Sequence, residues 1–202
     1  MTAIVSIKAF VHRAFSPRWL LVTNTLTGST MLATGDLIHQ QMTNVTAETP
    51  LKVDWKRSFR VAFMGALLAP IGHFYYKWLD TFVVNGTQTV IVAKKITVDT
   101  VTAPFMDATY VTGLNVLEGN TFQDGLREYR EKFWLFLALD TFLWLPVQAI
   151  NFWFIPLKYK VLFTSTAELV DSVLFAHIKQ GGQEAETSDK QEASAAEESL
   201  ST

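Results

Sequence analysis

The 202-residue chain has no cysteine, which removes disulfides, thiolate metal sites and cysteine nucleophiles together and leaves the redox compartment undetermined. It also lacks a glycine-rich phosphate loop, a G-x-S-x-G and an H-E-x-x-H. Its four histidines, His12, His39, His73 and His177, are too scattered to suggest a metal site. Nothing recommends a catalytic carboxylate pair, so the expectation is a non-enzyme with no cofactor and no metal. A clean apolar 20-mer is missing as well, and so is any Asp or Glu between Met1 and Gly35.

The chain does have hydrophobic bulk: 49% apolar residues, 13% aromatics and a mean hydropathy of +0.19. That is more than a usual soluble domain carries. The stretch from Lys132 to Leu157, KFWLFLALDTFLWLPVQAINFWFIPL, is long enough to span a bilayer at 1.5 Å per residue. It nonetheless holds Asp140, Pro146, Gln148 and Asn151, each of which lipid would penalise. Polar groups at that depth need a partner, a bundle interior or a watery path. Reading the rest of the chain the same way gives an all-α integral membrane bundle of about four spans: Leu20 to Gln40, Phe59 to Val84, Thr87 to Gly113, and Phe133 to Leu157. The later run Val161 to Ile178 contains Glu168 and Asp171 and reads as an interfacial or packed helix. Glu118 to Lys132, with Gly119, Gly125 and seven charges, reads as an extramembrane loop leading into a helix start.

The two termini contrast. The first 19 residues place Lys8, His12, Arg13 and Arg18 among Ile4, Val5, Ile7, Phe10, Val11 and Phe15 at roughly helical spacing. An acid-free, basic, amphipathic segment has the composition of a mitochondrial import signal; the alternative is a basic interfacial helix at any anionic membrane. From residue 179 the chain turns acidic. Residues 181–202 hold six of the 19 acidic residues and one of the 17 basic ones, with too little apolar surface to offset chain entropy. The expected organisation is therefore a basic N-terminal segment (1–19), a helical membrane bundle (20–178) and a disordered acidic tail (179–202). Counting basic residues on the two sides of four spans gives six against seven, so the positive-inside rule does not decide orientation.

Pro70, Pro104 and Pro146 each lie inside an expected span and should kink it, because proline removes a backbone donor and crowds the carbonyl four residues earlier. Polar residues fall at helical spacings: Asp36 with Gln40; His73, Tyr76 and Asp80; Lys95 with Asp99, which are placed to pair within one helix. Two readings stay open. Asp36, His73, Asp80, Asp99, Asp107, Asp140, Gln148 and Asn151 line a hydrated lumen, or they make interhelical hydrogen bonds worth about 0.6 kcal/mol each that fix packing. Small residues four apart, Gly65 with Ala69, Ala62 with Ala66, and Ser29 with Ala33, favour close helix approach.

These motifs, in order, resemble the Mpv-seventeen/peroxisomal membrane protein family. They are Gly35-Asp36 with Gln40, Pro70-x-x-His73-x-x-Tyr76-x-x-Leu79-Asp80, Lys95 to Asp99 to Pro104, and Trp144, Pro146, Gln148, Asn151, Phe152 and Pro156. Through Leu20 to Leu26, Leu117-Glu118-Gly119 and Arg130-Glu131-Lys132-Phe133-Trp134 the chain is most similar to the branch called Mpv-seventeen-like protein two. Departures are Thr100, Ala69 and Lys160 in place of the family's Gln, Gly and Arg, and the loss of a late Trp and Ser near Val170 and Phe175.

The branch resemblance implies a mitochondrial inner-membrane protein that supports assembly of the mitochondrial ribosome, and so mitochondrial translation. Arg127, Arg130 and Lys132 would dock the ribosome or its assembly factors. The founding members imply instead a weakly selective channel for small solutes or ions, in the mitochondrial or the peroxisomal membrane. The bilayer is the expected partner in either case, a homo-oligomer is compatible with both, and direct DNA binding is not expected.

Overall fold

The computed structural model describes residues 9–46 and 53–171. The acidic tail and the first eight residues lie outside these, as does the end of the late apolar run. Among the described residues the chain is all-helical, in agreement with the expected class. A short helix α1 (residues 9–14) precedes α2 (Leu20–Thr46), α3 (Trp55–Phe82), α4 (Gln88–Leu117) and α5 (Phe122–Leu139). A π-helical turn (Asp140–Trp144) joins α5 to α6 (Leu145–Phe154), and α7 covers residues 157–171. The long helices run up and down. One end of the bundle, here the lower, carries the start of α2, the α3–α4 turn and the α6–α7 junction; the upper end carries the α4–α5 turn.

Local chemistry sets the helix ends. Asp54 caps α3 by accepting from Arg57 N at 3.0 Å, and Thr87 caps α4 through Val90 N. Thr121 and Asp124 form a reciprocal capping box at the start of α5, which satisfies two of the backbone donors a helix start leaves open. Gly119, at φ 94°, turns the chain between α4 and α5, a left-handed conformation that glycine adopts without a steric penalty. Because of the capping box, helix begins at Phe122. Glu118 to Lys132, expected to be a loop leading into a helix start, is therefore helix from Phe122 on, with only residues 118–121 left as the turn.

The three prolines behave differently from one another. α3 and α4 continue through Pro70 and Pro104. Pro146 follows the π turn, where Leu145 N–H donates to Asp140 O. A wider turn makes room for a ring that would otherwise press on the carbonyl four residues back. α5, the π turn and α6 form one continuous 33-residue helix, Phe122–Phe154, the one described helix both long and apolar enough to cross a membrane by length and composition.

α2 and α3 pack at a crossing built from glycine. A Cβ on Gly65 would lie 2.7 Å from Gly28 O, and one on Gly28 would lie 2.8 Å from the Ala69 Cβ. Ser29 Oγ donates across the crossing to Ala62 O at 2.9 Å. α5 meets α4 the same way, with Gly125 against the Thr112 Cα. α7 returns against α3, where Lys160 bonds Asp80, and Phe15 of the N-terminal segment packs at a tilt against Tyr159, ring centres 4.9 Å apart.

The distribution of polarity is inverted relative to a soluble domain. Asn24, Asp36, Gln40, Ser58, Lys95, Gln148, Asn151 and Lys160 are buried, while Phe59, Phe63, Leu67, Ile71, Phe74, Trp78 and Phe82 form an exposed stripe down α3. A contiguous exposed apolar surface of that length is not left to water in ordinary monomers.

Candidate functional site: a layered polar interior

The polar residues inside the bundle form separate layers. In the upper layer Asp36 is 6% exposed. Its Oδ2 accepts from Gln40 Nε2 (2.7 Å) and Ser58 Oγ (2.7 Å), and its Oδ1 accepts from Arg57 Nε (2.8 Å). Gln40 Oε1 in turn accepts from Asp54 N at 2.7 Å, tying the layer to the α3 cap. Three hydrogen bonds, one of them from a cation, thus converge on the carboxylate, and partners of this kind are what a buried charge requires.

The lower layer is also ionic. Asp80 accepts from Lys160 Nζ on both oxygens, at 2.6 Å (Oδ1) and 2.8 Å (Oδ2), and from Lys95 Nζ on Oδ1. Lys160 also lies 5.3 Å from the Phe152 ring centre. Lys95 therefore reaches across to α3 and does not pair with Asp99 in its own helix, as its spacing had suggested. The reason is burial: the Lys95 side chain points into the bundle, where Asp80 is the carboxylate that α3 presents to it.

Between these ionic layers the contacts are neutral or acidic. Asn24 Nδ2 donates to His73 Nδ1 at 3.0 Å. Gln148 Nε2 donates to the Tyr76 hydroxyl at 3.0 Å, and Asn151 Nδ2 donates to Gln148 Oε1 at 2.8 Å. Tyr75 donates to Asp99 Oδ1 at 3.1 Å. Asp107, Asp140 and Asp171 lie close enough to one another to interact electrostatically. Among the described residues, the buried oxygens Asn24 Oδ1, Asn151 Oδ1, Asp107 Oδ2 and Asp171 Oδ1 have no hydrogen-bond partner.

The eight residues expected to line an interior thus all face helix neighbours, but in distinct groups. Asp36 and Asp80 are locked by cations, His73, Gln148 and Asn151 by amides and a phenol, and Asp99 by the Tyr75 hydroxyl, while Asp107 and Asp140 belong to one acidic group. Arg57, Ser58, Asn24, Tyr75 and Lys160 complete these groups without having been expected there. Asn24 lies four residues before Gly28 on the buried face of α2, a face that only the packed structure reveals.

Arg127, Arg130 and Lys132 lie on the exposed start of α5. Arg127 is 4.0 Å from Asp124, and Lys132 pairs with Glu128. Asn115 Nδ2 also donates to Glu128 Oε2 at 2.7 Å, and Asn120 Nδ2 to Asn115 Oδ1 at 3.2 Å, fixing the α4–α5 corner. The Thr121 hydroxyl and backbone N–H hold the Asp124 carboxyl below the usual carboxylate range.

Comparison with known proteins gives a consistent picture. A family model described as the Mpv17 / PMP22 family matches residues 115–176. The chain is 24% identical over 161 residues to "PXMP2/4 family protein 2" of Dictyostelium discoideum, covering 78% of this chain and 83% of the relative. It is 26% identical over 147 residues to "Mitochondrial inner membrane protein Mpv17" of Danio rerio, 72% of this chain and 81% of the relative. It is also 26% identical over 148 residues to "Peroxisomal membrane protein PMP22" of Arabidopsis thaliana, 72% and 75% respectively. No solved structure matches it.

Proposed function

Because this chain belongs to the Mpv17 / PMP22 family, we propose that it is an integral protein of the mitochondrial inner membrane, with α2, α3, α4 and the α5–α6 helix as its four spans. α2, α3 and α4 have 27, 28 and 30 residues, long enough at 1.5 Å per residue to cross the hydrocarbon core. Asp36, Asp80 and Lys95 turn inward and are paired with opposite charges, which lowers the cost of placing them there, and the α3 outer face carries an apolar stripe. Relatives named for the mitochondrial inner membrane and for the peroxisome make the peroxisomal membrane the alternative address.

Within that membrane we propose a non-enzymatic role in assembling the mitochondrial ribosome. The observation that carries it is the α4–α5 corner. The residues that resemble the Mpv-seventeen-like branch, Leu117 to Gly119 and Leu126 to Trp134, converge on one exposed, hydrogen-bonded surface at the upper end, with Arg127 72% exposed in its side chain. A capped helix start bearing alternating charges is pre-organised to meet a partner. The test is gradient sedimentation of solubilised mitochondria with Arg127, Arg130 and Lys132 all changed to Gln. Ribosomal co-migration should fall while membrane insertion stays intact; unchanged co-migration overturns the role.

A second reading has its own observation. The unpartnered oxygens Asp107 Oδ2 and Asp171 Oδ1 belong to one acidic group with Asp140, where a hydrated ion path would supply their missing partners. In a reconstituted bilayer, Asp140→Asn should then alter ion preference. An electrically silent purified protein removes this reading.

A further inference from the structure

The two ends of the bundle differ in charge to a degree that counting basic residues alone conceals. The lower end, residues 9–20, 76–96 and 154–162, holds Arg13, Arg18, Lys77, Lys94, Lys95, Lys158 and Lys160 against the single acid Asp80. The upper end, residues 36–46, 53–60, 114–132 and 168–171, holds six basic and eight acidic residues. Lys95 and Lys160 already share Asp80, so the exposed cations Arg13, Arg18, Lys77, Lys94 and Lys158 have no acidic side chain in these lower segments to offset them.

Beside them an open groove of about 520 Å³ runs between the end of α3 and the start of α4, with walls that include Phe82, Val84, Val90, Ala93 and Val98. Lys94 also lines it and is its charged member. Its Nζ donates to Asn85 O at 3.0 Å, which fixes the ammonium at the α3–α4 turn and leaves two of its three N–H donors for another acceptor. Gly86 shapes the turn: at φ 127° it takes a conformation that side chains resist, and a Cβ there would lie 2.9 Å from Val90.

We propose that this groove is a binding site for an anionic phospholipid, with an acyl chain along the apolar walls and the head-group phosphate on Lys94. The proposal rests on the membrane-bundle reading, because only there does the groove face lipid. Apolar walls alone would take any acyl chain. The excess positive charge at this end selects the anionic head group, since each lysine near an anionic lipid surface adds attraction, and ammonium to phosphate is a charge-assisted contact.

Native mass spectrometry of the full chain, exposed to equal phosphatidylglycerol and phosphatidylcholine, tests the site. The wild type should retain phosphatidylglycerol about fivefold over phosphatidylcholine, the ratio that one lysine at such a surface supplies. Lys94→Gln should lower the ratio clearly, towards one. Ala93→Trp, which fills the groove, should lower retention of both lipids, and Arg127→Gln at the upper end should change neither. Equal retention of the two lipids by the wild type, an unchanged ratio in Lys94→Gln or unchanged retention in Ala93→Trp overturns the site. Failure of the membrane reading shows separately, as failure of the wild type to enter phosphatidylcholine nanodiscs.

Discussion

Asp80 shows how one carboxylate can decide the cost of two buried cations. With Lys95 and Lys160 both on it, the group carries one more positive charge than negative, and the carboxylate is the member neither lysine can do without. Asp80→Asn leaves two ammonium groups in the bundle without a counter-charge and should destabilise it by about 3–5 kcal/mol. Lys160→Met leaves a one-to-one Asp80–Lys95 pair with similar packing and should cost clearly less. Thermal unfolding in detergent, followed by tryptophan fluorescence, gives the order; equal losses would mean that the second lysine is not redundant. Asp124 is the opposite case, an exposed carboxylate whose task is local. Its pKa is depressed by Thr121, so its stabilisation of the α5 start is complete above the ordinary value of 3.8 and is lost as pH falls below it. Amide exchange in the first turn of α5 should speed up over that acidic interval in the wild type. In Thr121→Val, which removes the cap, exchange should already be fast at neutral pH.

At the level of elements the α2–α3 crossing is the most exacting contact, because backbone lies against backbone. Gly65→Ala would put a methyl 2.7 Å from Gly28 O, and neither helix can yield without moving as a unit. A loss of about 1–3 kcal/mol is expected, as for overpacked cores. Gly72→Ala in the same helix meets nothing within 4 Å and should be neutral or stabilise by about 0.5–1 kcal/mol, the helix-interior preference for alanine. The two variants measured side by side separate close approach from propensity. Gly65 and Ala69 were legible in the sequence from their four-residue spacing, whereas Gly28 was not, because a glycine among threonines and serines gives no sign of which helix will meet it. The same limit explains the charged layers. Spacing within a helix correctly grouped Asp36 with Gln40, but it offered Asp99 to Lys95, and only the arrangement of α3 beside α4 gives that lysine to Asp80. The start of α5 was hidden for a different reason: Gly119, Gly125 and a dense run of charges look like a loop, while the Thr121–Asp124 box makes helix of them.

For the whole molecule the organising fact is the inversion of polarity, with ion pairs and amides inside and an aromatic stripe from Phe59 to Phe82 outside. That stripe covers 24 residues of α3, about 34 Å at 1.5 Å rise per residue, close to the thickness of a bilayer core. The proposed four spans would place the α3–α4 turn and the α4–α5 turn on opposite faces of the membrane, since α4 lies between them. The absence of native cysteine makes this directly measurable by single-cysteine labelling of sealed vesicles with a membrane-impermeant maleimide. Asn85→Cys and Asn120→Cys lie in the two turns, and Pro17→Cys lies ahead of α2. Asn85 and Pro17 should react from the same side, and Asn120 only after the vesicles are permeabilised, or the reverse. Equal reaction of Asn85 and Asn120 in sealed vesicles would mean that α4 does not cross. The apolar stripe on α3 would then have to be covered by protein instead of lipid.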